Sequence, residues 1–112
     1  MPNQNQINRM LRQVQQMQSD METAQAELEV ETVDGSAGGG MVVATMTGSG
    51  KLQGITISPT VVDPDDVEML QDLVLAAVTE ASRAAKALSD AKLGAVQGPD
   101  ISSLGPLGGL LG

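Results

Sequence analysis

The sequence predicts an α+β fold with element order αβββα, in which two long helices flank a three-stranded antiparallel sheet. Three observations carry this reading. An apolar repeat of period 3.5 runs from Ile7 to Leu28, three short alternating or β-branched segments lie between glycine turns, and a second apolar helical run follows Asp63-Pro64-Asp65-Asp66. The chain has 112 residues, room for one domain.

The first helix is predicted over residues 4–28. Ile7, Met10, Val14, Met17, Met21, Ala24 and Leu28 are spaced alternately three and four apart, with Gln, Asn, Arg, Asp and Glu between them. That is a narrow apolar seam on a polar helix, the stripe of a core or of a dimer. The period changes near Glu29, where Glu29, Val30, Glu31 and Thr32 alternate, so the first strand is placed at about 29–34 and ended by Asp34-Gly35.

Gly38-Gly39-Gly40 breaks the chain before Met41–Thr47, a β-branched run read as the second strand, 41–47. Gly48-Ser49-Gly50 is a turn. The third strand, 51–58, carries Leu52, Ile55 and Ile57 in near alternation, and Gly54 marks a bulge or a close approach. Short glycine turns make the three strands antiparallel.

The second helix is predicted over 64–93. Asp63 is placed as its N-cap, Pro64 at the first helical position, and Asp65 and Asp66 against the positive end of the dipole. Val62 and Val67 stand at the two positions of a hydrophobic staple. Residues Val67 to Val78 are apolar nearly all round, which calls for more than one packing neighbour. Gly94 stops the helix, so the domain is 1–94, and the aperiodic Gly/Pro/Leu segment 95–112 is predicted to be a flexible tail.

At about 1.5 Å per residue the helices reach roughly 38 and 45 Å. A compact domain of about 100 residues has a radius of gyration near 13 Å, so the helices must project beyond the sheet.

Composition narrows the chemistry. The chain has no His, Cys, Phe, Tyr or Trp. Without imidazole or thiol there is no Ser-His or Cys-His nucleophile pair, no imidazole or thiolate metal site and no disulfide. Without aromatic rings there is no stacking surface for single-stranded nucleic acid, and the core must be built from Val, Leu, Ile, Met and Ala. Such a core is thin for one small domain, so a homodimer is expected. The N-terminus lacks a signal-peptide pattern and the longest apolar stretch, Leu73 to Val78, is too short to cross a bilayer, so a cytoplasmic protein with no membrane partner is expected. No pocket-building pattern accompanies the carboxylates, and an enzyme, a cofactor and a small-molecule substrate are not expected.

Two motifs resemble ligand sites and fail on spacing. Gly48-Ser49-Gly50-Lys51 would need Gly at Thr45 and Ser or Thr at Leu52 to be a phosphate loop. The acids Asp63, Asp65, Asp66 and Glu68 lack the spacing and central Gly of a calcium loop, and a helix-start role accounts for them.

Charge is uneven. The chain carries a formal −8, yet residues 1–19 contain Arg9 and Arg12 and no acid, a local +2 against −10 for the remainder. Arg83, Lys86 and Lys92 lie on the later half of the second helix. If a dimer brings the helical arms together, these five bases per chain form a surface for duplex DNA on an acidic body. The alternative is scattered bases on solvated helix faces, because a net negative charge opposes long-range attraction to DNA.

The Gln-rich, Met-bearing first helix, Gly38-Gly39-Gly40-Met41-Val42, Gly48-x-Gly50, Ile55-x-Ile57 with Pro59, Val62-Asp63-Pro64-Asp65-Asp66, Glu68-Met69-Leu70-x-Asp72-Leu73 and Ala76-Ala77 together resemble the YbaB/EbfC family of bacterial nucleoid-associated proteins. The resemblance covers residues 5–94. It implies a tweezer-like αβββα homodimer that holds duplex DNA with little sequence specificity and organises the chromosome or regulates genes in the nucleoid. Two positions depart from the family pattern. Val43 stands where a lysine is usual, and Ser82-Arg83-Ala84-Ala85-Lys86 is sparser in charge than the usual segment. A protein-interaction module of the same fold, using the arm seam and the leucine-rich tail, is the competing expectation.

Overall fold

A computed structural model describes residues 3–96. The elements are helix α1 (Gln4–Val30), strands β1 (Thr32–Ala37), β2 (Val42–Thr47) and β3 (Leu52–Ile57), a single 3₁₀ turn at Pro59–Val61, and helix α2 (Val67–Gly94). The sheet is antiparallel with order β1-β2-β3. The expected α+β class and αβββα order are therefore present. The segment 97–112, most of the expected tail, lies outside the described residues.

Three boundaries differ from the sequence reading by three residues: both ends of β1 and the start of α2. The Glu29–Thr32 alternation does not begin the first strand, because the Glu31 N–H donates to the Glu27 carbonyl at 2.9 Å and closes a last helical turn through Val30. β1 then runs through Gly35, which was expected to end it. Gly35 is a packing contact: a Cβ built there would overlap the Ala77 carbonyl and lie 2.7 Å from the Ala81 Cα. Strand and helix meet backbone to backbone at this point.

The start of α2 lies three residues later than expected. The Asp63 carboxylate accepts from the Asp65 N–H at 2.9 Å, and the Asp63 carbonyl from the Asp66 N–H at 3.0 Å, so Asp63 and Pro64 build a turn of their own. Asp66 is the N-cap, accepting from the Met69 N–H at 3.2 Å. Val62 and Val67 remain about half exposed, unstapled. Several aspartates in a row give the chain more than one way to satisfy a helix start, and local turn chemistry decides.

The core is small-residued and lies between α2 and the first two strands. Val42, Ala44 and Met46 of β2 are buried against Ala77, Ala81 and Ala85, a four-residue repeat of alanines that lets α2 sit close. Val33, Ala37, Leu73, Val74 and Val78 surround this cluster. Thr45 pairs across the strands with Asp34 and donates its hydroxyl to that carboxylate at 2.8 Å on the opposite sheet face. β3 has no such cover. All its residues are exposed except the half-buried Ile57, and Leu52 and Ile55, which share the sheet face occupied by α2, are 47% and 38% exposed. The irregularity foreseen at Gly54 is a bulge: Gly54 faces Thr45 and Leu52 faces Met46, leaving Gln53 as the extra residue.

Helix α1 is held only at its C-terminal end, where Ala24 and Leu28 are its buried residues. The β2–β3 turn caps it there. The Gly48 N–H donates to the Glu31 carbonyl at 2.9 Å and the Ser49 N–H to the Leu28 carbonyl at 3.0 Å, satisfying a helix-end acceptor that has no partner within the helix. The Cα radius of gyration of 21.5 Å reflects the arm that results.

Candidate nucleic-acid interface

The arm begins at a built N-terminus. The Asn3 side chain accepts from the Gln6 N–H at 2.9 Å while the Gln6 side chain accepts from the Asn3 N–H at 3.3 Å, a reciprocal capping box that fixes the first turn without an acidic residue. Arg9 and Arg12 follow one turn apart on the helix, both exposed. Each lies two residues beyond a seam position, Ile7 or Met10, which turns both guanidinium groups away from the apolar stripe. Among the described residues neither takes part in an ion pair, whereas five ion pairs involve the other bases. Arg9 is about 22 Å of helix from the buried Ala24.

The other three predicted site residues have carboxylate partners. Arg83 is bound to Glu80 at 2.8 Å and Lys86 to Asp90 at 2.8 Å, both on the exposed face of α2. The hydrogen bond to Asp90, aided by its charge, raises the Lys86 pKa above its ordinary value. Lys92 lies between the helices, 2.6 Å from Glu27 of α1 and 3.0 Å from Glu31, the residue that caps α1, with its side chain only 21% exposed. Hydrogen bonds to Glu27 and then Glu31 raise its pKa as well. The five bases therefore divide into an unpaired pair on the projecting arm and three paired bases on α2. Sequence reasoning missed the role of Lys92 as a tie between helices, although Glu27 and Glu31, four apart, mark an acidic site where α1 ends.

Lys51, the lysine of the apparent phosphate motif, is paired with Glu29 at 3.1 Å. Its Gly48-Ser49-Gly50 turn spends two N–H groups on the end of α1, as described above. Gly48 has no room for a side chain, since a Cβ would come within 2.6 Å of the Leu28 side chain and 3.1 Å of Leu88. Among the described residues no group of three or more acidic, His or Cys side chains is placed to hold a metal ion, and no helix is long and apolar enough to cross a membrane.

An apolar surface lies elsewhere. Leu70, Gln71, Val74, Leu75 and Val78 line an open, almost wholly apolar groove of about 440 Å³ along α2, with Leu75 67% exposed. With the uncovered Leu52 and Ile55 of β3, this is far more exposed apolar side chain than scattered surface residues account for.

The chain is similar over most of its length to curated bacterial proteins named nucleoid-associated protein. One from Acetivibrio thermocellus is 53% identical over 92 residues, covering 82% of this chain and 81% of that protein. Another, from Saccharopolyspora erythraea, is 50% identical over 109 residues, covering 97% of this chain and 90% of that protein. Among solved structures, an uncharacterised protein from Helicobacter pylori matches with a TM-score of 0.60 at 17% identity over the whole of both chains, a likeness of fold. The model of the YbaB/EbfC DNA-binding family matches residues 3–99. With this match and relatives at about half identity, the chain belongs to the YbaB/EbfC DNA-binding family.

Proposed function

We propose that this protein is a nucleoid-associated protein that binds duplex DNA as a homodimer, with little sequence specificity, in the cytoplasm at the nucleoid. The family assignment and the names of its relatives support DNA as the ligand. The observation that carries the mechanism is the unpaired Arg9 and Arg12 on an arm that projects from an acidic body. Carboxylates that would repel phosphates are concentrated from residue 20 onward, so contact is local to the arm and made mainly with the DNA backbone. Arg83 and Lys86 are secondary contacts that must exchange a carboxylate for a phosphate. Lys92 contributes chiefly by holding the arm.

The homodimer is supported by the uncovered β3 face and by the exposed apolar groove on α2, surfaces that a second copy could bury. The protein is a binding protein with no catalytic step, cofactor or small-molecule substrate in its mechanism. Titration of a labelled duplex at low salt tests the reading: binding of unrelated duplexes with similar affinity is expected, and a folded protein that binds none of them would contradict it.

A further inference from the structure

The polar side of α1 has an order of its own. Asn5, Arg9, Arg12, Gln16, Ser19 and Thr23 are spaced alternately four and three apart, and from Arg9 onward each lies two residues beyond a residue of the apolar seam. Two residues are about 200° of helical turn, so this second stripe runs along the side opposite the seam. All six side chains are exposed.

Solvation alone does not account for the composition of the stripe. The chain has 14 acids against 6 bases, and the exposed side of α2 carries Glu68, Asp72, Glu80 and Asp90, yet the stripe holds two arginines and no carboxylate. Each of its side chains is a hydrogen-bond donor. Among the described residues, the side-chain hydrogen bonds of the arm are the Asn3–Gln6 box and one from the Gln16 amide to Asp20 at 2.8 Å, so Asn5 and Ser19 keep their donors for a ligand.

The stripe also has an end. Thr23, its last member, lines a groove with Asp20, Glu27 and Lys92 where the two helices meet, and carboxylates there repel phosphates. The acid-free part, from Asn5 to Ser19, is about 21 Å of helix. A duplex carries one charge per about 1.7 Å of its axis, so this length spans several phosphates.

We propose that Asn5, Gln16 and Ser19 join Arg9 and Arg12 as the face of α1 that lies on duplex DNA. The arginines neutralise phosphates. The amides and the hydroxyl donate uncharged hydrogen bonds to phosphate and sugar oxygens, contacts that hold the helix in place without reading sequence. This inference rests on the DNA-binding reading above and adds to it a part of the affinity that salt does not set, because uncharged donors neutralise no phosphate and so release no counterions.

Duplex titrations at several salt concentrations test it with Asn5→Ala combined with Ser19→Ala. Alanine is the better helix former at both positions, so the arm is not weakened, and circular dichroism checks this. Affinity should fall about fivefold or more at every salt concentration, the scale of a lost hydrogen bond, with the slope of log affinity against log salt unchanged. Gln18→Ala, on the seam side beside Met17 and Met21, should bind as the wild type does. Wild-type affinity in the Asn5/Ser19 variant would overturn the proposal, as would an equal loss from Gln18→Ala. Either result with a wild type that binds duplexes leaves the function standing, whereas a folded wild type that binds no duplex overturns both.

Discussion

Lys92 of α2 donates to Glu27 of α1 at 2.6 Å and lies 3.0 Å from Glu31, at the point where the arm leaves the sheet. Together with the Ser49 N–H on the Leu28 carbonyl, this contact sets the direction of α1. The arm is a lever, and its fulcrum consists of a few polar contacts around one buried leucine.

Lys92→Met should therefore lower the thermal midpoint modestly while leaving the sheet intact. The two carboxylates raise the folded-state pKa of Lys92 above the ordinary 10.5. A lysine with a raised folded pKa contributes its full stabilisation below the unfolded value and loses it as pH rises through the folded one. The difference in midpoint between wild type and variant should be constant from neutral pH to about 10 and close at higher pH. A pH series of thermal melts reads this out.

Gly35 and Gly39 should respond oppositely to the expectation from exposed turns alone. Gly35→Ala places a Cβ into the backbone of α2, which no rotamer change relieves, and should cost about 1–3 kcal/mol or more. Gly39 has a positive φ of 68° but nothing within 4 Å of the added atom. Gly39→Ala should cost only about 1 kcal/mol, the strain of the left-handed conformation. Paired denaturant titrations of the two variants measure the gap.

Leu75→Asp tests the assembly. Leu75 is 67% exposed in the protomer, so the charge is tolerated there, but burial of an unpaired carboxylate in an interface costs several kcal/mol. Light scattering at micromolar concentration should give a dimer for the wild type and a monomer of retained helicity for the variant. A monomeric wild type would remove the basis for the proposed dimer.

Removal of residues 97–112 should leave the thermal midpoint nearly unchanged. The end of α2 is already satisfied by the Ala95 N–H on the Ala91 carbonyl at 3.1 Å, the buried cluster of the described residues is built from β2 and α2, and the Gly/Pro content of the tail disfavours packing. A large fall in the midpoint would place the leucines of the tail in the core.

The order of elements was legible because periodicity changes sharply, from 3.5 through 2 to a broad helical face, and the glycine turns separate the segments. Where the reading slipped, two local solutions competed. Glu29–Thr32 alternates as a strand would, but the same residues also continue a helix, and the Glu31 N–H takes the helical acceptor. Asp63 can cap a helix or an isolated turn, and it caps the turn. Gly35 looked like a chain reversal because its need for closeness to α2 exists only in the tertiary fold. Within the candidate site, Arg9 and Arg12 stood out by the absence of nearby acids. The engagement of Lys92 could not be seen, since Glu27 lies 65 residues away in sequence.

The central claim is that DNA is held by phosphate contacts from the arm, and the salt dependence of duplex affinity tests it most directly. Each neutralised phosphate contributes about −0.9 to the slope of log affinity against log salt. Arg9→Ala with Arg12→Ala removes two arginines from each protomer, so in a dimer the slope should flatten by up to about 3.6. Affinity should fall alike for all duplex sequences, because these contacts position the protein without reading bases. An unchanged slope in a folded, dimeric double variant would contradict the account. So would the absence of duplex binding by the wild type at low salt, which would favour a protein partner on the apolar surfaces instead.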